Sequence, residues 1–160
     1  MPFSKALKIL RILSKRGDSY IVGGAVRDHL LGLIPNDIDI CTNVPMETIE
    51  SLFPTVEIGK NKEFGIVVIK FEDETFEIAQ FRTEGSYSDG RRPDWVKFVP
   101  NIEADLSRRD FTINALALDK DLNLIDPFNG KQDLEERILR TVGNAHDRFS
   151  EDYLRMLRAV

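Results

Sequence analysis

A single cysteine, Cys41, stands among 160 residues, so no internal disulfide can form, and two scattered histidines, His29 and His146, offer no zinc constellation. Cys41 therefore reads as a small buried residue. No apolar run approaches the roughly 20 residues that a bilayer span needs, and the N-terminus lacks the apolar core and cleavage site of a signal peptide. The default expectation is cytoplasmic residence with no membrane partner. Neither G-x-G-x-x-G nor G-K-[ST] occurs, which removes dinucleotide and P-loop readings. An EF-hand counted from Asp37 fails as well, because Cys41 and Thr42 stand where an acid and a glycine are needed. No repeat or low-complexity segment is visible. The net charge of −5 argues against a broad nucleic-acid-holding surface within these residues.

What is present is a 42% hydrophobic chain able to bury one real core. Residues 4–16 carry Ala6, Leu7, Leu10 and Leu13 on one helical face and stop at Gly17. Tyr20 to Val22 is β-prone, Ala25 to Leu31 is helix-prone and ends at Gly32, and Pro45 to Phe53 reads as a further short helix. Ile66 to Phe71 and Thr75 to Arg82 flank the acidic turn FEDET as an antiparallel hairpin. The polar stretch 83–94, TEGSYSDGRRPD, reads as a mobile loop or a simple disordered connector, with Arg91 and Arg92 open to a partner or to none. The whole is an α/β arrangement.

Residues 23–39, GGAVRDHLLGLIPNDID, concentrate the chemistry. Gly23 and Gly24 sit at a strand-to-helix turn, where free helix N-terminal amides bind anions, and Arg27 adds a cation in the first turn. Strand side chains alternate with period two, so Asp37 and Asp39 share one face while Ile38 and Ile40 point the other way. Two adjacent carboxylates repel unless a cation lies between them. Mg²⁺, a hard ion served by one or two carboxylates plus substrate phosphates and water, is the natural candidate. A bare D-x-D equally describes an exposed strand end with solvated aspartates, and G-G-x-x-R a plain tight turn.

Two more clusters supply context. Residues 106–119, LSRRDFTINALALD, set Arg108, Arg109 and Asp110 before a stretch in which Phe111, Ile113, Ala115 and Leu116 pack inward. Residues 151–158, EDYLRMLR, place Asp152, Arg155 and Arg158 on one helical face. A stripe of surface ion pairs would look the same. The chain ends at Val160 inside a helical pattern without a stop signal, which reads as a truncation.

Taken together, GGAVRD with DID, RRDFTINALALD, DPFNGKQDLEERILR at 126–140, and EDYLRMLR resemble, in order, the motifs of the class II tRNA nucleotidyltransferases (CCA-adding enzymes) and bacterial poly(A) polymerases. These form a branch of the polymerase-β-like nucleotidyltransferases, and the resemblance covers nearly the whole chain. It implies an α/β (α+β) head with a mixed, largely antiparallel sheet flanked by helices over residues 1–140. The start of a helical neck would occupy 141–160.

The implied activity is template-independent addition of C and A to the tRNA 3′ end from CTP and ATP. Asp37 and Asp39 would hold the catalytic Mg²⁺ ions, with Glu77 a third carboxylate beside them. Gly23, Gly24, Arg27 and Arg109 would contact the nucleotide, and Asp110 would orient sugar or neighbouring side chains. Asp152 and Arg155 would read the base, because a carboxylate accepts from the exocyclic amine of C or A while a guanidinium donates to the ring nitrogen. Arg158 would reach the triphosphate or support the pocket. The same motifs serve CC-adding, A-adding and poly(A)-forming members. A non-catalytic nucleotide- or RNA-binding module and a Mg²⁺-dependent phosphohydrolase are the readings from other classes.

Overall fold

The computed structural model describes residues 2–56, 64–85 and 95–144. Helix α1 spans Ser4–Leu13, strand β1 Ser19–Val22, helix α2 Gly24–Leu30 and strand β2 Asp39–Thr42. Helix α3 (Met46–Leu52) and strand β3 (Thr55–Val56) follow, then the hairpin β4 (Ile66–Phe71) and β5 (Glu74–Gln80), and a second hairpin β6 (Arg82–Gly85) and β7 (Trp95–Phe98). Helix α4 (Ile102–Ser107), a 3₁₀ turn (Thr112–Asn114), β8 (Ala117–Leu118), β9 (Leu124–Ile125) and α5 (Gly130–Glu135) complete the described elements.

Seven strands form one sheet in the order β3-β4-β5-β2-β1-β8-β9, and β6 pairs with β7 separately. Only the β2–β5 pair of the larger sheet is parallel, so the expected mixed, largely antiparallel sheet is what forms. Strand alternation gives the sheet two buried faces. Ile21, Ile40, Ile78 and Leu118 face a core built with Phe3, Ala6, Ile9, Leu10 and Leu13 from the start of the chain. Their neighbours Val22, Cys41 and Ala117 face a smaller cluster with Ile102 and Leu106 of α4, Phe81 and Val142. Asp39 and Glu77 lie in phase with Cys41 and Ala79, and so belong to this second face.

Several expectations shift. Helix α1 ends at Leu13, not at residue 16, because the Arg16 and Gly17 amides both turn back to the Leu13 carbonyl. Asp37 and Ile38 precede β2 and do not lie on it. The reason is that β1 leaves the sheet at Gly23 (φ 73°), so its last register pair is Val22 with Asp39. The alternation nevertheless carries through: Ile40 is fully buried, Ile38 packs on the core, and Asp37 and Asp39 are exposed. Residues 83–85 belong to β6 and pair with β7, which the polar composition of 83–94 concealed; residues 86–94 lie outside the described residues. In the β4–β5 hairpin, Glu72 and Asp73 both take positive φ (47° and 67°), as a two-residue turn of the primed type requires.

The motif at 126–140 acts as a buttress. Asp126 accepts from the amides of Gly130 (2.7 Å) and Lys131 (3.0 Å), opening α5. Asp133, 5% exposed, accepts from the Thr112 hydroxyl at 2.6 Å and from Arg140 Nε at 3.2 Å. The 3₁₀ turn is thereby fixed against α5. A side chain at Gly130 would fall onto the Thr112 carbonyl. Gly130→Ala is expected to destabilise the protein by about 1–3 kcal/mol, read as a lowered denaturation midpoint with unchanged slope.

Candidate active site

Strand β1 hands the chain to α2 through Gly23, and the same strand edge carries Asp39 on β2, opposite Val22. The parallel register sets Glu77 of β5 beside Asp39. One strand end thus gathers the glycine turn and the two carboxylates. A Cβ added at Gly23 would meet Arg109 Nη1 at 3.4 Å, and one at Gly24 would meet Arg27 Nη2 at 3.3 Å. Both arginines close over the turn from different elements, and the missing side chains leave them room to do so.

Arg109 is positioned by α4. Asp105 has no exposed side-chain surface and accepts from Arg109 Nη2 at 3.2 Å and from the Arg82 amide at 2.8 Å, with Arg108 Nε 3.7 Å away. Arg109 Nη2 also approaches Cys41 Sγ at 3.5 Å. Burial opposes the Arg109 charge, yet its pKa is raised, and the buried carboxylate of Asp105 is the physical source. Cys41 contributes little negative charge near neutral pH, because burial pushes its thiol up to about 12. Sequence reasoning missed Asp105; its i, i+3 and i, i+4 spacing to two arginines was the available signal.

Arg27 is held from two sides. Asp28 Oδ1 accepts from Nε (3.1 Å) and Nη2 (3.0 Å), and Asn114 Oδ1 accepts from Nη1 at 2.8 Å. Asp110, buried and 8% exposed, points into the structure: its Oδ1 accepts from the Phe111 amide at 2.7 Å and from Asn114 Nδ2 at 3.4 Å. Its geometry is that of an orienting group. The Gly23 amide is not available as an anion donor, because it donates to the Leu116 carbonyl at 3.1 Å. Gly24 and Ala25, in the first turn of the seven-residue α2, have no intrahelical acceptor.

The carboxylates are electrostatically frustrated. Partial burial raises the pKa of Asp39, Asp37 raises it further and Arg109 lowers it. Glu77 is raised by burial and then by Asp39, with Arg82 opposing. Exposed by surface area, Asp39 is still crowded by surrounding protein, and the Asp37–Asp39–Glu77 repulsion is only partly answered by arginine. Among the described residues no group of three or more acidic, His or Cys side chains stands ready to cage a metal. Mg²⁺ usually takes one or two carboxylates and completes its shell with water and substrate phosphates, and the register neighbours Asp39 and Glu77 are a pair of that chemistry. Asp152, Arg155 and Arg158 lie outside the described residues. A cavity of about 320 Å³ at the other end of β1, lined by Asp18, Tyr20 and Asp119 among others, includes none of the candidate site residues.

The family model for the poly A polymerase head domain matches residues 19–140. The chain belongs to that family. The CCA-adding enzyme of Bacillus subtilis (strain 168) is 49% identical over 160 residues, covering 99% of this chain and 40% of that protein. The crystal structure of the Bacillus stearothermophilus CCA-adding enzyme in complex with CTP superposes with a TM-score of 0.88 at 44% identity, over 99% of this chain and 38% of that one. A tRNA nucleotidyltransferase complexed with a primer tRNA and an incoming ATP analog gives a TM-score of 0.72 at 31% identity, over 94% and 43%. The chain thus spans about two fifths of the length of the curated relative it matches. No helix among its described residues is long and apolar enough to cross a membrane.

Two outcomes test this site. With its folded pKa raised, ionised Asp39 weakens the metal-free fold at neutral pH. The penalty fades as pH falls through that raised value and is gone below the ordinary 3.8. Metal-free Asp39→Asn should therefore melt slightly above wild type at pH 7, the difference closing at low pH, as followed by circular dichroism. Cys41, buried and protonated, should resist iodoacetamide at pH 8 in the native protein and react on unfolding, as read by intact mass.

Proposed function

We propose that this chain is the nucleotidyl-transferring head of an enzyme that adds C and A to the 3′ end of tRNA from CTP and ATP. The head would comprise residues 1–140, with the beginning of a helical neck at 141–160. The observation that carries the reading is the convergence of Asp39, Glu77, Arg27 and Arg109 on the Gly23–Gly24 turn, in a chain whose relatives are CCA-adding enzymes. An ordinary surface ion-pair cluster would not gather two carboxylates whose pKa values are raised by burial and by a neighbouring carboxylate.

In this reading Asp37 and Asp39 hold Mg²⁺, with Glu77 beside them. Bound there, Mg²⁺ supplies the positive charge that favours ionisation of the RNA's terminal hydroxyl and offsets charge on the leaving pyrophosphate. Arg27 and Arg109 bind the triphosphate and sugar from opposite sides of the glycine turn, where the lack of side chains lets phosphate approach the Gly24 amide. Fixed donors cost no reorganisation when charge shifts toward the pyrophosphate. Asp110 keeps Asn114, and through it Arg27, in place. Base choice is assigned to Asp152 and Arg155, with Arg158 in support, by the acceptor–donor complementarity that C and A share. The acidic head leaves most of the tRNA grip to other parts of the protein.

The test is incorporation of labelled CMP and AMP into a tRNA lacking its 3′ CCA by the full-length gene product with Mg²⁺. Asp37→Asn and Asp39→Asn are each expected to lower incorporation by about 10³-fold or more while leaving the protein folded. Incorporation of AMP alone would instead assign an A-adding or poly(A)-forming member. Nucleotide binding without incorporation by the wild type would favour a binding module, and release of free phosphate without RNA extension a phosphohydrolase.

A further inference from the structure

Arg27 presents a defined remainder of hydrogen-bonding capacity. A guanidinium carries five N–H donors. Three are engaged in the structure: Nε and one N–H of Nη2 with Asp28, and one N–H of Nη1 with Asn114. Among the described residues, one donor on each terminal nitrogen is left over. Those two nitrogens lie 3.3 Å and 3.8 Å from where a Gly24 side chain would begin, in the space that glycine keeps open. Two donors on one guanidinium can serve a pair of phosphate oxygens.

Asp28 is the sequence neighbour of Arg27 and moves with it, so it cannot by itself fix the guanidinium relative to the rest of the site. Asn114 can. It stands 87 residues away in the 3₁₀ turn, whose first residue Thr112 is tied to Asp133 of α5 at 2.6 Å. The Asn114 amide group is oriented in turn by Asp110, which accepts from its Nδ2 while its Oδ1 accepts from Arg27. We propose that Asn114 is a positioning residue for nucleotide binding: it locks the Arg27 guanidinium so that its two remaining donors address the triphosphate at Gly24. The proposal rests on the nucleotidyl-transfer reading above. It makes the 126–140 motif part of the substrate grip, since α5 holds the turn that holds Asn114.

The experiment is a double-mutant cycle in the full-length gene product, using Asn114→Ala, Arg27→Ala and the double variant, with thermal melting as a fold control. Asn114→Ala should raise the KM for both CTP and ATP by roughly tenfold, with kcat changed much less and the Mg²⁺ dependence unmoved. In the Arg27→Ala background it should add almost nothing, because Asn114 acts through Arg27. If Asn114→Ala does not fold, Asn114→Ser carries the same cycle, its side chain being too short to hold the guanidinium. An unchanged KM, or penalties that simply add in the double variant, overturns the proposal. A wild-type protein that neither binds nor incorporates nucleotide overturns the functional reading instead, so the two failures are distinguishable.

Discussion

Everything chemical in this head depends on how β2 is paired. Strand β2 lies between β1, which runs antiparallel to it, and β5, which runs parallel. Period-two alternation lets its Ile40 complete the larger core while Asp39 and Cys41 face the other way. A shift of one residue in either pairing would send Asp39 into the aliphatic face and Ile40 toward α4. The full burial of Ile40, Ile78 and Ile21 therefore fixes the register, and the register fixes which carboxylates meet. Apolar packing on one face of the sheet decides the electrostatics of the other.

The arginines around this face are held with different rigidity. Arg109 is anchored to a carboxylate with no exposed surface, whose other oxygen also takes the Arg82 amide at the start of β6. Removing one partner from a buried pair of this kind costs about 3–5 kcal/mol, because the remaining charge is stranded. Arg109 is therefore as much part of the fold as of the site, and its orientation is coupled to the β6–β7 hairpin. Arg27 is one-third exposed and clamped by neutral as well as charged acceptors. It retains donors for a ligand at little cost to the fold.

Much of this was legible in the sequence because the signals were local. Leu7, Leu10 and Leu13 announce α1 by spacing; Gly32 and the turn at Glu72–Asp73 mark element ends; the alternation of Ile38, Asp39 and Ile40 survives even though the strand begins only at Asp39. The hairpin β6–β7 was hidden because its strands are only four residues long and β6, Arg-Thr-Glu-Gly, is polar, while pairing depends on backbone bonds to a partner ten or more residues away. Asp105 was hidden for a related reason. A carboxylate in an acidic chain looks solvated until α4 is docked on the sheet, and only then do Arg82 and Arg109 surround it. The same holds for Gly23, whose amide seemed free until the chain from Leu116 returned beside it.

Asp39 and Glu77, raised in pKa by burial first and by a neighbouring carboxylate second, sit in a heavily buttressed part of the fold. A site that raises its own carboxylate pKa values is a local cost, tolerable only where neighbouring packing over-determines the geometry. Three devices supply that excess: the buried Asp105 under Arg109, the Asp133–Thr112 bond behind the 3₁₀ turn, and Gly130, which allows α5 to touch that turn directly. None of them touches the carboxylates. Each instead immobilises a cation or its support: Asp105 holds Arg109, and α5 holds the turn that carries Asn114, the partner of Arg27. Under the nucleotidyl-transfer reading proposed above, carboxylates crowded in this way would gain from a dication brought in with the nucleotide.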